Sequence, residues 1–229
     1  MRIPLLILLA GLATSAAGLD AQALVVDEGS YAIEIDGTPA GLERFTIRRA
    51  GVLQEVREIS SGTLTLGSGA AAVEVHPLLE VVGNARRVAS YQVKVSGDGN
   101  PEVALRLAGG RYVASIRSRS GEEEREYRAL PGTRILEEDV AHLHHYLEDA
   151  SPGQRIPVIE PRTGRSFQLE VASVAEDTLR IGWRTVPARR MELTGGADSR
   201  SVWFDGQGRV LRVEVPARKY VAVRQDIVG

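Results

Sequence analysis

From Gly29 onward the chain consists of short runs in which apolar and polar residues alternate, each run cut off by glycine, aspartate or proline. Side chains along a strand point to opposite faces in turn, so a period of two predicts strands with one dry side and one wet side. In "SYAIEI", Tyr31, Ile33 and Ile35 share one face while Ser30, Ala32 and Glu34 take the other. "DGTPAG" (36–41) turns the chain, and "LERFTIRR" returns it with Phe45 and Ile47 facing inward. Further runs follow at "LQEVREIS", "GTLTLG", "AAVEVHPLLEVV", "RRVASYQVKVS", "EVALRLA", "RYVASIRSRS" and "EREYRAL". The turns between them, such as "GDGNP" and "SGEEE", recur at roughly the 8–12-residue spacing of sandwiches and barrels. Near the C-terminus "SVWFD-GQG-RVLRVEV" is a hairpin on a Gly-rich turn. It lacks the third glycine and the following helix of a nucleotide-binding fingerprint.

About a dozen strands, each ~4.8 Å from the next, would make a flat sheet nearly 60 Å wide. One short helix covers a patch only ~18 Å long, so a flat sheet would leave its inner face wet. The expected fold class is therefore mainly β: a single antiparallel sheet, rolled into a half-barrel or barrel-like form, with one short α-helix. If the roll is partial, the helix plugs part of the concavity and an apolar groove remains beside it.

That helix is expected around "EEDVAHLHHYLEDAS", where Leu136, Val140, Leu143 and Leu147 fall at i, i+4, i+7 and i+11. Asp139 is placed to cap its start, and "SPG" (151–153) ends it. The segment holds three of the four histidines of the chain. On an α-helix, Glu138, His142, His145 and Asp149 form one stripe, and a His pair at i, i+3 beside carboxylates has the spacing of a zinc site. The stripe lies about 200° from the apolar one, as expected for a solvated polar face, and no metal is assigned. His144 sits on the buried flank, as a neutral, hydrogen-bonded histidine or a pocket wall. His76, before Pro77, is expected at a sheet edge or bulge.

Signatures of catalysis are missing: the chain has no G-x-S-x-G elbow, no H-E-x-x-H and no Walker loop. Trp183 and Trp203 fall within expected strands, where core packing is the usual fate of an indole. If a groove exists, Trp183, Trp203 and Tyr146, with His144, are its candidate ligand-binding residues. "RSRSGEEEREYR" (117–128) faces Arg117 and Arg119 toward Glu124 and Glu126 across a hairpin, either as solvated exterior or as a docking surface for an envelope partner.

The first residues, "MRIPLLILLAGLATSAAGLDAQA", show a basic start, a short apolar core and a small-x-small site at Ala21–Ala23. This is the pattern of a secretory signal peptide over residues 1–23, followed by a single β-rich domain over 24–229. The apolar core is shorter than the ~20 residues a membrane-spanning helix needs. The chain contains no cysteine, which excludes disulfides, thiol catalysis and a lipid on a cysteine. A stable membrane anchor is therefore not expected, and the location expected is periplasmic or secreted. With 28 basic against 30 acidic residues, the chain lacks the basic excess of nucleic-acid proteins.

The opening "GSYAIEIDGTPAGLERFTI", the segment "HLHHYL" and the closing "VWFDGQGRVLRVEVP" resemble a family of exported bacterial domains of unknown function. The resemblance implies a sheet that rolls like the half-barrel of the periplasmic lipoprotein carriers, which hold acyl chains, and it supplies no catalytic residue. The leading functional expectation is non-enzymatic binding of a hydrophobic small molecule or lipid in the concave sheet, without a cofactor. The alternatives are a metal-dependent or other hydrolase using the His142–His145 cluster and a structural module that binds another envelope protein.

Overall fold

The structure, a computed structural model, describes residues 23–52, 55–96 and 102–227. Most of the expected signal peptide (1–22), the start of the "LQEVREIS" run and the "GDGNP" turn (97–101) lie outside the described residues.

The first half of the chain forms β1 (Leu24–Ile35), β2 (Thr38–Ala50), β3 (Arg57–Leu66), β4 (Val73–Val82), β5 (Arg87–Val95), β6 (Glu102–Ala108), β7 (Arg111–Ser118) and β8 (Gly121–Arg128). Two-residue β9 (Arg134–Ile135) and a 3-10 helix, His142–Leu147, follow. The second half forms β10 (Arg155–Glu160), β11 (Arg165–Ile181), β12 (Arg184–Thr194), β13 (Arg200–Phe204), β14 (Val210–Val215) and β15 (Tyr220–Arg224).

Among the described residues these strands make one open sheet in the order β8-β7-β6-β5-β4-β3-β2-β1-β15-β14-β13-β12-β11-β10-β9. Two antiparallel meanders are thus joined at their first and last strands, and only β9 runs parallel to its neighbour. A buried ion pair reinforces that junction: Arg224 in β15 donates two hydrogen bonds to Asp27 in β1, at 2.7 and 2.9 Å, and also reaches Asp226. Burial disfavours the guanidinium charge, but these carboxylates outweigh it and hold the Arg224 pKa above its usual value.

Local chemistry explains the turns. Asp36 and Gly37 both adopt positive φ, 53° and 71°, the geometry that matches a tight turn to the twist of a hairpin. At the β13–β14 turn the Asp205 carboxylate accepts the N–H groups of Gln207 and Arg209, both at 2.9 Å. Of the two glycines there, Gly208 has positive φ (77°) and Gly206 does not.

Inward residues of both meanders, from Tyr31, Phe45 and Leu79 to Leu169, Val202 and Val213, join one core with Leu136, Val140, Leu143 and Leu147. The sheet therefore wraps around the segment that links its two edges, which is the physical reason it can stay open without leaving its inner face wet. A smaller cluster lies on the other face of β13 and β14, where Leu179, Ile181 and Ala188 of the β11–β12 hairpin pack on Trp203 and Leu211.

Four expectations change. The helical segment is a 3-10 helix, with His144 N–H donating to Ala141 O and Glu148 N–H to His145 O. Asp139 does not cap it; its φ is 65°, and its carboxylate accepts a 2.7 Å hydrogen bond from Arg218. His76 lies not at an edge but on β4, which pairs with β3 and β5. The proline that follows coincides with a gap in the β3–β4 ladder between Leu78 and Val75. The β7–β8 charges pair in another register, Arg117 with Glu122 and Arg111 with Glu126.

Candidate functional site: a buried histidine cluster and an apolar cleft

All six side chains of the 3-10 helix are buried. The expectation of a solvated His142/His145 stripe fails because the rolled sheet surrounds the segment on every side, so it has no wet face. Nor do the four stripe residues converge. Glu138 meets Arg165, His142 meets Glu43, and His145 lies 3.8 Å from Glu58. No group of three or more His, Asp or Glu is placed to hold a metal ion among the described residues.

Glu43 and Glu58 are what the sequence reading missed. Glu43 points inward from β2 and accepts the backbone N–H groups of Ala141 (2.7 Å) and His142 (3.2 Å) while contacting Nδ1 of the His142 ring. Phe45 stacks on that ring with centroids 5.5 Å apart. A signal was available: Glu43 shares the inward parity of Phe45 and Ile47, and a charged residue on a dry face calls for a buried partner. Glu58 and Ser60 sit at inward positions of β3, near His145 and Tyr146. Burial pushes the His144 pKa down to about 3 and lowers that of His145, so both rings are neutral near pH 7. His144 is buried, with its Nδ1 3.1 Å from Ala141 O. Every member of the cluster is buried, and the contacts of Glu43 hold the segment against the inner side of the sheet.

The remaining residues expected to bind ligand separate. Tyr146 is buried within the 3-10 helix, its hydroxyl pKa raised by burial. Trp203 is buried on the outer side of the sheet, with its indole N–H donating to Asp177 at 2.8 Å. Trp183 is in the turn between β11 and β12 rather than in a strand, and is 73% exposed. The expected groove wall of Trp183, Trp203 and Tyr146 does not form, because Tyr146 lies in the core, Trp203 in the smaller cluster and Trp183 in an exposed turn.

An apolar cleft of about 410 Å³ does exist, at one end of the roll. It lies between the β4–β5 and β6–β7 turns and the stretch 129–133, where the chain leaves β8 to enter the interior. Leu107, Tyr112, Ala129, Leu130 and Pro131 line it, with the exposed Arg87. Leu130 and Thr133 also wall a smaller cleft of about 230 Å³, shared with Phe167 and Val158. A third depression, of about 740 Å³, has both polar and apolar walls, among them Arg44, Asp226, Ser61 and Phe45.

A family model for a domain of unknown function, DUF6134, matches residues 31–225. The chain belongs to that family. A solved structure from Brucella abortus, described as a β-barrel-like protein of domain of unknown function DUF1849, superposes on this DUF6134 chain with a TM-score of 0.50 at 8% identity. The match covers 86% of this chain and 94% of the other, and it supports the rolled β architecture alone. No curated protein matches this DUF6134 chain.

Proposed function

We propose that the protein is an exported, non-enzymatic binder of a hydrophobic or lipid-like molecule, working in the periplasm or outside the cell. The observation that carries this reading is the apolar cleft of Leu107, Tyr112, Ala129, Leu130 and Pro131. Its volume of about 410 Å³ falls in the range of small-molecule sites. The cleft opens where the chain turns inward between the sheet edges, so a ligand can enter without displacing the core. The signal-like N-terminus supports export.

The test is mass spectrometry of organic extracts from protein purified out of a bacterial periplasm, beside a control protein handled identically. The expected result is one lipid class enriched at near-equal stoichiometry and lost from a Leu130→Glu variant that keeps its circular dichroism. Equal recovery from protein and control would overturn the reading.

A further inference from the structure

The cleft is apolar, and the charged side chain in its lining is a cation. Arg87 stands in its wall. Arg134 lies behind the wall and is 9% exposed. Its hydrogen bonds go to backbone carbonyls, Nε to Tyr146 O at 2.8 Å and Nη1 to Gly132 O at 3.3 Å, and Gly132 itself lines the cleft. Among the described residues no carboxylate comes within ion-pair distance of Arg87 or Arg134. Most other buried or half-buried arginines here do have one: Arg224 has Asp27, Arg162 has Glu137, and Arg86 has Glu148.

A guanidinium held away from water without a close counter-charge is costly. Burial holds the Arg134 pKa below the usual arginine value; Asp149, beyond ion-pair distance, offsets part of that and the neighbouring Arg86 adds to it. Tyr112, in the cleft wall, senses the same field. Burial raises its hydroxyl pKa, and the two charges that act on it, Arg87 and Arg134, are both cations.

We infer that the cleft takes a single-chain anionic amphiphile, its alkyl chain along Leu107, Leu130 and Pro131 and its carboxylate or phosphate head at Arg87, in the field of Arg134. This rests on the ligand-binding reading above and names the class of ligand. Arg87 is the residue to vary, because it is exposed and opens β5, whereas Arg134 also supports the backbone.

The experiment measures binding of sodium dodecanoate, dodecyl phosphate, 1-dodecanol and dodecyltrimethylammonium to the full-length mature protein by displacement of a fluorescent fatty-acid probe. Dodecanoate and dodecyl phosphate are expected to bind at least about tenfold more tightly than the alcohol, the ratio one charge-assisted hydrogen bond contributes. That margin should vanish in Arg87→Glu and persist in Arg87→Lys, with unchanged thermal midpoints. Equal binding of all four amphiphiles would overturn the anion inference and leave the apolar-site reading standing. Binding of none of them, by protein shown to be folded, would remove both. Co-flotation with phosphatidylglycerol vesicles without binding of the monomeric anions would also overturn the inference, because the cations would then serve a membrane surface.

Discussion

Glu43 and His142 lie 99 residues apart and meet inside the sheet, both fully buried, with one carboxylate serving two backbone N–H groups and a ring nitrogen. A single inward charge on β2 thereby sets where the 3-10 helix sits. Replacing Glu43 by Ala leaves those donors without an acceptor in a dry interior, and we expect a loss of about 3–5 kcal/mol. Glu43→Gln keeps one carbonyl oxygen and should cost about 1–3 kcal/mol. Urea unfolding followed by circular dichroism reads both, and an unchanged midpoint in Glu43→Ala would show that the helix is held by other contacts.

Gly62 faces the same ring from β3. A Cβ built there comes within 2.7 Å of His142 Cε1 and 3.2 Å of Arg44 O. The ring cannot step aside without leaving Glu43, so Gly62→Ala is expected to destabilise by about 1–3 kcal/mol. Because His142→Ala opens that space, the double variant should be more stable than the sum of the single losses predicts, by about 0.5–3 kcal/mol. Strict additivity in the same unfolding assay would refute the contact.

Two buried groups make stability depend on pH in opposite directions. His144 titrates at about 3 in the folded protein against an ordinary 6.5, so the unfolded chain binds its proton first. Its contribution is complete above pH 6.5 and is lost as pH falls toward 3. Glu137, paired with Arg162 at 2.9 Å, is raised by burial from 4.5 to about 7. Its contribution is complete below pH 4.5 and is lost as pH rises through 7. Each slope reaches at most about 1.4 kcal/mol per pH unit. Denaturation midpoints measured between pH 4 and 8 should lose their acid-side slope in His144→Gln and steepen on that side in Glu137→Gln. Parallel curves for all three proteins would contradict these assignments.

The two tryptophans should report different environments. Trp183 is 73% exposed and Trp203 5%. Trp183→Phe, which leaves Trp203, should emit at shorter wavelength and resist acrylamide. Trp203→Phe should emit near the wavelength of free indole in water and be readily quenched. Removing Trp203 should also cost about 1–3 kcal/mol, since its ring closes the outer cluster and its N–H serves Asp177. Similar quenching of both variants would move the β11–β12 hairpin away from the place described.

Much of the site had a sequence signature that was local in kind. The parity that placed Phe45 and Ile47 inward applies equally to Glu43, and a charge at such a position marks a buried partner even when the partner cannot be named. His144 could be read as a buried ring from its spacing to Val140 and Leu147. Trp183 and Trp203 could not be separated that way. "RIGWRTV" reads as a strand until Gly182 takes positive φ (58°) and puts Trp183 in a turn. Trp203 is buried by a hairpin that folds onto the outer side of the sheet.

By itself the sequence determined the mainly β class, most strand positions, the Asp-Gly turns and the need for the sheet to roll, because alternation and turn chemistry act over a few neighbouring residues. Only the tertiary structure decided that the histidine segment is wrapped on all sides and becomes a 3-10 helix without a polar face. It alone joined Glu43 to His142 and brought Arg87, Leu107 and Leu130 to one cleft. Those relations depend on how far the sheet curls and which strand edges meet, and that curvature is the sum of many small twists and contacts that no local pattern encodes.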